Sequence, residues 1–222
     1  MIRVKICGIT TPEDGVLAAG LGASAIGLVF WPGSPRAVDV QRARAIAAAL
    51  PPLVSVIGVF VNQQEEALRL AREVGLSAVQ FHGDEPAESY RDFPVRVIRA
   101  VAVRDDRAIA DAEAVPASAH VLLDAHDPVK RGGTGRTIDW SIAASIARRR
   151  AVILSGGLNP DNVVDAIDAV RPSAIDVSSG VESAPGRKDP AKLKALFDTL
   201  RHSPHSSLTP FGIRHSSFSI RH

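Results

Sequence analysis

A single cysteine among 222 residues leaves no disulfide framework to hold the chain together, so a hydrophobic core must do so. The 45% of hydrophobic residues is enough for one large α/β domain. No apolar run reaches the roughly 18 residues that a membrane-spanning helix needs, and the start MIRVKICGIT lacks a signal core; both predict a cytoplasmic protein without membrane contact. Aromatic residues are scarce at 5% and the formal charge is only +2. No basic patch with interleaved aromatics is visible, which speaks against nucleic acid as a partner. No set of His, Cys, Asp and Glu has metal-ligand spacing, so no metal is expected. A dinucleotide fingerprint, with its acidic residue about 20 positions further on, is also missing. That leaves proton transfer as the expected chemistry.

What is present is a repeating unit. Ile2, Val4 and Ile6 alternate with Arg3, Lys5 and Cys7, then Gly8 and a capped helix start at Thr10-Thr11-Pro12-Glu13-Asp14 follow. The same strand, turn and helix recur: Ala25 to Phe30 before Val40 to Leu50, Leu53 to Val61 before Gln64 to Val74, and Ala78 to Phe81 before a short helix near Glu85 to Arg91. Val95 to Val103 precedes Asp106 to Ala114, and His120 to Leu123 precedes a Gly-rich loop and the helix Asp139 to Arg148. Two further units complete the series, the last with its helix at Asp189 to Leu200, and together the eight units predict a single closed (β/α)₈ barrel with short loops over residues 1–200. An open doubly wound sheet would carry its Gly-rich turn after the first strand, whereas here the glycine clusters lie late. From 201 to 222 the chain is rich in Ser and His without periodic apolar residues, and a disordered tail is expected.

The last two units end in small-residue turns. Val152-Ile153-Leu154 runs into Ser155-Gly156-Gly157 and then Asn159-Pro160-Asp161-Asn162, read as a helix start with an Asn cap and Pro at the first helical position. Ala174 to Val177 runs into Ser178-Ser179-Gly180. Each alone is an ordinary strand-to-helix turn. In succession near the end of a barrel they match the usual phosphate site, where glycines let backbone amides approach an anion.

Strand parity selects the residues that can do chemistry, because alternate side chains of a barrel strand point inward. If Ile2, Val4 and Ile6 face the helices, Lys5 and Cys7 face the interior. By the same rule Gln80 and His82, Leu122 and Asp124, and Asp176 face inward. A lone cysteine at a strand end is commonly just a small buried hydrophobe, and His82 reads equally well as a core histidine. Cys7, however, has Lys5 on its own strand face to favour a thiolate that titrates below the free thiol, and Asp124 across the barrel as a proton donor. Such a pair can act as base and acid.

With these residues in view, the chain resembles the phosphoribosylanthranilate isomerases along residues 2–200. The landmarks are VKICGIT at 4–10, GLVFWPGSPR at 27–36, GVFVN at 58–62, VQFHGDE at 79–85, LLDA at 122–125, GGTGRTIDW at 132–140, LSGGLNPDNV at 154–163 and DVSSGVESAPGRKD at 176–189. The resemblance implies a cofactor-free Amadori rearrangement of a small phosphoribosyl substrate in tryptophan biosynthesis, by a monomer or homodimer. It implies Cys7 as the general base at C2′ and Asp124 as the general acid at the ring oxygen. Arg36 would pair with the anthranilate carboxylate, and His82 and Asp176 would contact the substrate. Gly156, Gly157, Ser179 and Gly180 would bind the phosphate. The histidine-pathway isomerase and dual-substrate relatives carry an aspartate at the end of strand one, where this chain has Cys7. A non-catalytic barrel that senses a phosphorylated metabolite would have no reason to keep both Cys7 and Asp124.

Overall fold

Inward and outward residues alternate so strictly along the strands that the barrel sorts its own contents. In the computed structural model, which describes residues 2–86, 90, 93–125 and 137–203, eight parallel strands close on themselves in sequence order. The elements are β1 (Arg3–Cys7), α1 (Pro12–Leu21), β2 (Ala25–Val29), α2 (Val40–Ala49), β3 (Ser55–Phe60), α3 (Gln64–Val74), β4 (Ala78–Phe81), β5 (Arg96–Val103), α4 (Arg107–Ala114) and β6 (Ala119–Ala125). They continue with α5 (Trp140–Ala147), β7 (Val152–Leu154), α6 (Val163–Val170), β8 (Ala174–Val177), a 3₁₀ turn (Ser179–Val181), the small hairpin β9 (Glu182–Ala184) and β10 (Arg187–Lys188), and α7 (Pro190–His202). The short helix expected near Glu85 to Arg91 lies largely outside the described residues, as do the tail from 204 and the loop 126–136. Among the described residues no helix is long and apolar enough to cross a membrane.

Outward residues such as Val4, Ile6, Val79, Phe81, Val121, Leu123, Ile175 and Val177 join one continuous layer beneath the helices. Inward residues Ala25, Ile57, Ala78, Ile98, Ala100 and Leu122 form a separate plug inside the barrel, with Ile153 packed against it. Closure pairs β1 with β8 and puts Lys5 opposite Asp176, so two inward charges become neighbours. Gly27 sits at an inward position of β2, where a Cβ would come within 2.7 Å of Cys7 Sγ and 3.0 Å of Lys5 Cε. The missing side chain is the space those two residues occupy.

Helix starts follow the sequence with one exception. Thr11, Asp39, Asp139 and Asp189 each accept a backbone amide of the first turn of their helix. Asn159, expected to cap α6, does not: the helix begins at Val163, and Asn159 instead accepts from Asp161 N and Asn162 N in the turn before it. Asn162 donates to Gly157 O at 3.0 Å and accepts from Asn159 N at 2.9 Å, so the two asparagines knot the loop after β7 in place of capping a helix. At the other end α7 runs to His202, two residues beyond the expected boundary, with Arg201 and His202 in its last turn where positive charge favours the helix dipole.

Leu122 is fully buried in the interior plug. Leu122→Ala should therefore cost about 2–5 kcal/mol in denaturant unfolding, the usual range for a buried Leu that leaves a cavity. A loss under about 1 kcal/mol would mean that the interior can collapse and the plug is not tightly packed.

Candidate active site

The polar residues that parity turns inward form one chain of contacts across the barrel. Lys5 Nζ donates to Asp176 Oδ1 and to Gln80 Oε1, both at 3.0 Å. Gln80 Nε2 lies 3.3 Å from His82 Nδ1, and His82 Nε2 lies 3.3 Å from Asp124 Oδ2. Because the Gln80 oxygen is taken by Lys5, its amide must donate to His82 Nδ1. That places the imidazole proton on Nε2, facing Asp124. The other carboxyl oxygen of Asp124 accepts from Ala125 N at 2.8 Å. Strands β8, β1, β4 and β6 thus meet through side chains at the C-terminal end of the barrel, where enzymes of this architecture place their chemistry.

Cys7 is 8% exposed and packs with Val29, Val59 and Trp31. Lys5 does pull the Cys7 pKa down, but the expected titration below a free thiol does not follow: burial pushes the thiol up, the charges of Lys5 and Lys188 recover only part of this, and Asp176 adds to the rise. Lys5 itself is opposed by burial, but Asp176 and Cys7 together hold it above the usual lysine range, so it stays an ammonium. Its charge acts on both Asp176 and the thiol, but burial of Cys7 outweighs it.

The two glycine-containing turns stand side by side. One small cavity is lined by Asp124, Asp176, Gly156, Gly157, Ser178 and Ser179, with Ala125 and Ser155 completing it. Gly156 and Gly157 take φ of +86° and +68°, conformations that favour glycine. Among the described residues the amides of Gly156, Gly157, Ser179 and Gly180 donate to no protein acceptor. Gly156, Gly157 and Ser179 line the cavity, and amides left without an acceptor among the described residues beside such a cavity are what a phosphate cradle needs. Gly180 differs from the others: a Cβ there would lie 1.9 Å from Leu158 O and 2.9 Å from Asn159 Cβ, so the residue is glycine because the β8 turn rests on the β7 turn. Its side of the loop lines a separate groove with Asn159 and Lys192.

Arg36 is buried, and Nε and Nη2 make a bidentate pair with Glu182 at 2.9 and 2.6 Å. Its stem lies over Gly8, where φ is +72° and a Cβ would come within 2.4 Å of Arg36 Cδ. Nη1 has no partner among the described residues, so one edge of the fork remains for a ligand. Against burial, which raises it, the bonds from Arg36 and the charge of Lys188 hold the Glu182 carboxyl below the usual range. Neither Glu182 nor Lys188 was marked by the sequence, because each meets its partners across more than 140 residues or through a hairpin with no periodic signal. Gln80 was legible from parity but carried no role.

The two glycines predict different defects. Gly157→Ala should raise KM for a phosphorylated substrate, since its φ of +68° is one that a residue with a Cβ rarely adopts and the turn must shift to accept it. Gly180→Ala should lower the melting temperature by several degrees, consistent with about 1–3 kcal/mol for overpacking. A Gly157→Ala enzyme with unchanged KM, or a Gly180→Ala enzyme as stable as wild type, would contradict the assignment.

The sequence model of the family described as N-(5′-phosphoribosyl)anthranilate (PRA) isomerase matches residues 4–199. The chain is 46% identical over 200 residues to the N-(5′-phosphoribosyl)anthranilate isomerase of Neisseria gonorrhoeae, covering 89% of this chain and 96% of the relative. It is similar to monomers generated from the dimeric phosphoribosylanthranilate isomerase of Thermotoga maritima, with TM-score 0.82 and 42% identity over 90% of this chain and 99% of the other. A phosphoribosylanthranilate isomerase in complex with reduced 1-(o-carboxyphenylamino)-1-deoxyribulose 5-phosphate gives TM-score 0.79 and 42% identity over 90% and 99%. A barrel with this site, matched along nearly its whole described length, is an isomerase and belongs to the N-(5′-phosphoribosyl)anthranilate isomerase family.

Proposed function

We propose that this chain converts N-(5′-phosphoribosyl)anthranilate into 1-(2-carboxyphenylamino)-1-deoxy-D-ribulose 5-phosphate, the Amadori rearrangement of tryptophan biosynthesis, with Asp124 as general acid and Cys7 as general base. Asp124 gives its proton to the ring oxygen, the C1′–O bond breaks, and the nitrogen lone pair forms C1′=N. The Cys7 thiolate then removes the proton from C2′, and the electron pair left there makes the enol amine. Loss of the enol proton and protonation of C1′ yield the ketone. No atom is gained or lost; Cys7 ends with a proton and Asp124 without one, and exchange with solvent restores both.

The observation that carries this reading is the placement of Asp124 and Asp176 in one cavity with the free amides of the β7 and β8 turns, beside the Lys5 that links Asp176 to the Cys7 strand. A phosphate seated on Gly156, Gly157, Ser179 and Gly180 would anchor one end of the ribose, with Asp176 and His82 toward its hydroxyls. The open edge of Arg36 suits the anthranilate carboxylate, because a guanidinium offers paired donors. The dimeric Thermotoga relative makes a homodimer one of two assemblies to expect here, the other being a monomer.

A coupled assay with phosphoribosylanthranilate tests the reaction, and turnover by the wild type is the expected result. General acid-base groups contribute about 10² to 10⁴-fold each, so Cys7→Ala and Asp124→Asn should each lower kcat by that order with little change in melting temperature. If either variant kept more than roughly a tenth of wild-type kcat, too small a loss for such a group, that residue would be a packing residue and not part of the proton transfer.

A further inference from the structure

Lys188 carries a charge that the reaction as described does not use. Its side chain is 0% exposed. Nζ donates to Cys7 O at 2.6 Å, to Glu182 Oε1 at 2.8 Å and to Ser178 O at 3.2 Å. Three acceptors require three donated protons, so the group is an ammonium. Two of those acceptors are main-chain carbonyls at the C-terminal ends of β1 and β8, the strands whose turns build the site. The Cys7 carbonyl also accepts from Ser178 Oγ at 3.1 Å, just before the chain bends at Gly8 with φ of +72°. The backbone of the proposed base is thus tied from outside its own strand ladder. Lys188 is held in turn by its main-chain N–H, which donates to Asp14 Oδ2 at 3.1 Å on α1.

The charges around Cys7 do not cancel. From β1 comes Lys5 and from β8 comes Asp176, and these two neutralise each other at 3.0 Å. From the hairpin come Lys188 and Glu182, and from the loop after β2 comes Arg36, all buried. Glu182 serves both Arg36 and Lys188, while the half-buried Asp14 reaches only the Lys188 main-chain N–H, so among the buried groups one carboxylate answers two cations and one positive charge is left over. Formation of the Cys7 thiolate would balance it.

We propose that Lys188 is a positioning residue for the isomerase reaction: its ammonium fixes the main chain of Cys7 and Ser178, and it supplies the uncompensated positive charge that favours the Cys7 thiolate. The inference rests on the reading of Cys7 as general base. Burial draws the Lys188 pKa down, while Glu182 and Cys7 oppose this.

The test is the pH dependence of Cys7 alkylation by iodoacetamide, which needs no substrate. Removing a nearby cation makes the thiolate harder to form, so in Lys188→Met the inflection should move up by about one pH unit. At neutral pH kcat should then fall about tenfold, in step with the thiolate fraction, with KM little changed. A purely structural lysine gives the opposite sign, because loosening the site would expose Cys7 and relieve the burial that raises its pKa. An inflection that stays put or moves down in Lys188→Met therefore overturns the inference. Should that variant not fold, Lys188→Gln keeps an amide donor for Cys7 O without the charge, and the same upward shift is required of it. A wild type that alkylates normally but does not turn over phosphoribosylanthranilate would overturn the functional reading instead.

Discussion

Lys5 carries a charge into the middle of the barrel, and the arrangement of the site depends on what that charge meets. Its ammonium reaches Asp176 on β8 and Gln80 on β4, so one side chain joins three strands that are not all neighbours. Removing one partner of such a buried pair typically costs about 3–5 kcal/mol, because the other charge is left without compensation. The geometry exists because β1 closes on β8 in the register that sets Lys5 opposite Asp176, and because Gly27 leaves room beside it. From Lys5 the contacts pass through Gln80 and His82 to Asp124, which fixes the orientation of an amide and the tautomer of an imidazole in turn.

A second buried group, Arg36 with Glu182 and Lys188, reaches Cys7 through the bond from Lys188 to its carbonyl and works differently. The Lys5 pair is neutral, whereas the Arg36 group sets two cations against one carboxylate. Cys7 feels the charges of both and is nearly excluded from solvent, so its thiol is reluctant to ionise. A reluctant base suits this reaction once substrate is bound: a thiol held protonated at rest is slow to oxidise or alkylate, while a thiolate formed in a dry site is poorly solvated and reactive.

Much of the fold and the inward-facing residues could be read from the sequence because a strand period of two is a local property. Lys5, Cys7, His82, Asp124 and Asp176 all follow from where apolar residues alternate with polar ones, and the structure turns all of them inward. What could not be read is long-range. Nothing near Arg36 announces that Glu182, 146 residues away, occupies half of its guanidinium. Nothing near Cys7 announces how completely the closed barrel buries its thiol, and that burial outweighs the pull of Lys5. The start of α6 was misplaced for a related reason: Asn159 has the right chemistry for a cap, but Asn162 and Gly157 O recruit it into a turn. Gly180 was legible as a glycine-requiring position, yet the atom that requires it, Leu158 O, belongs to the neighbouring loop.

The central claim is that Cys7 and Asp124 face the reacting carbon and oxygen of one substrate whose phosphate sits on the β7 and β8 turns. A crystal structure of this protein with reduced 1-(o-carboxyphenylamino)-1-deoxyribulose 5-phosphate measures that directly. The account predicts Cys7 Sγ within about 3.5 Å of C2′, the reach of a near-attack geometry. It also predicts Asp124 on the opposite side of the chain near the former ring oxygen, and phosphate oxygens on the amides of Gly157 and Ser179. A ligand bound with C2′ more than about 5 Å from Cys7, beyond any direct proton transfer, or with its phosphate elsewhere, would contradict it.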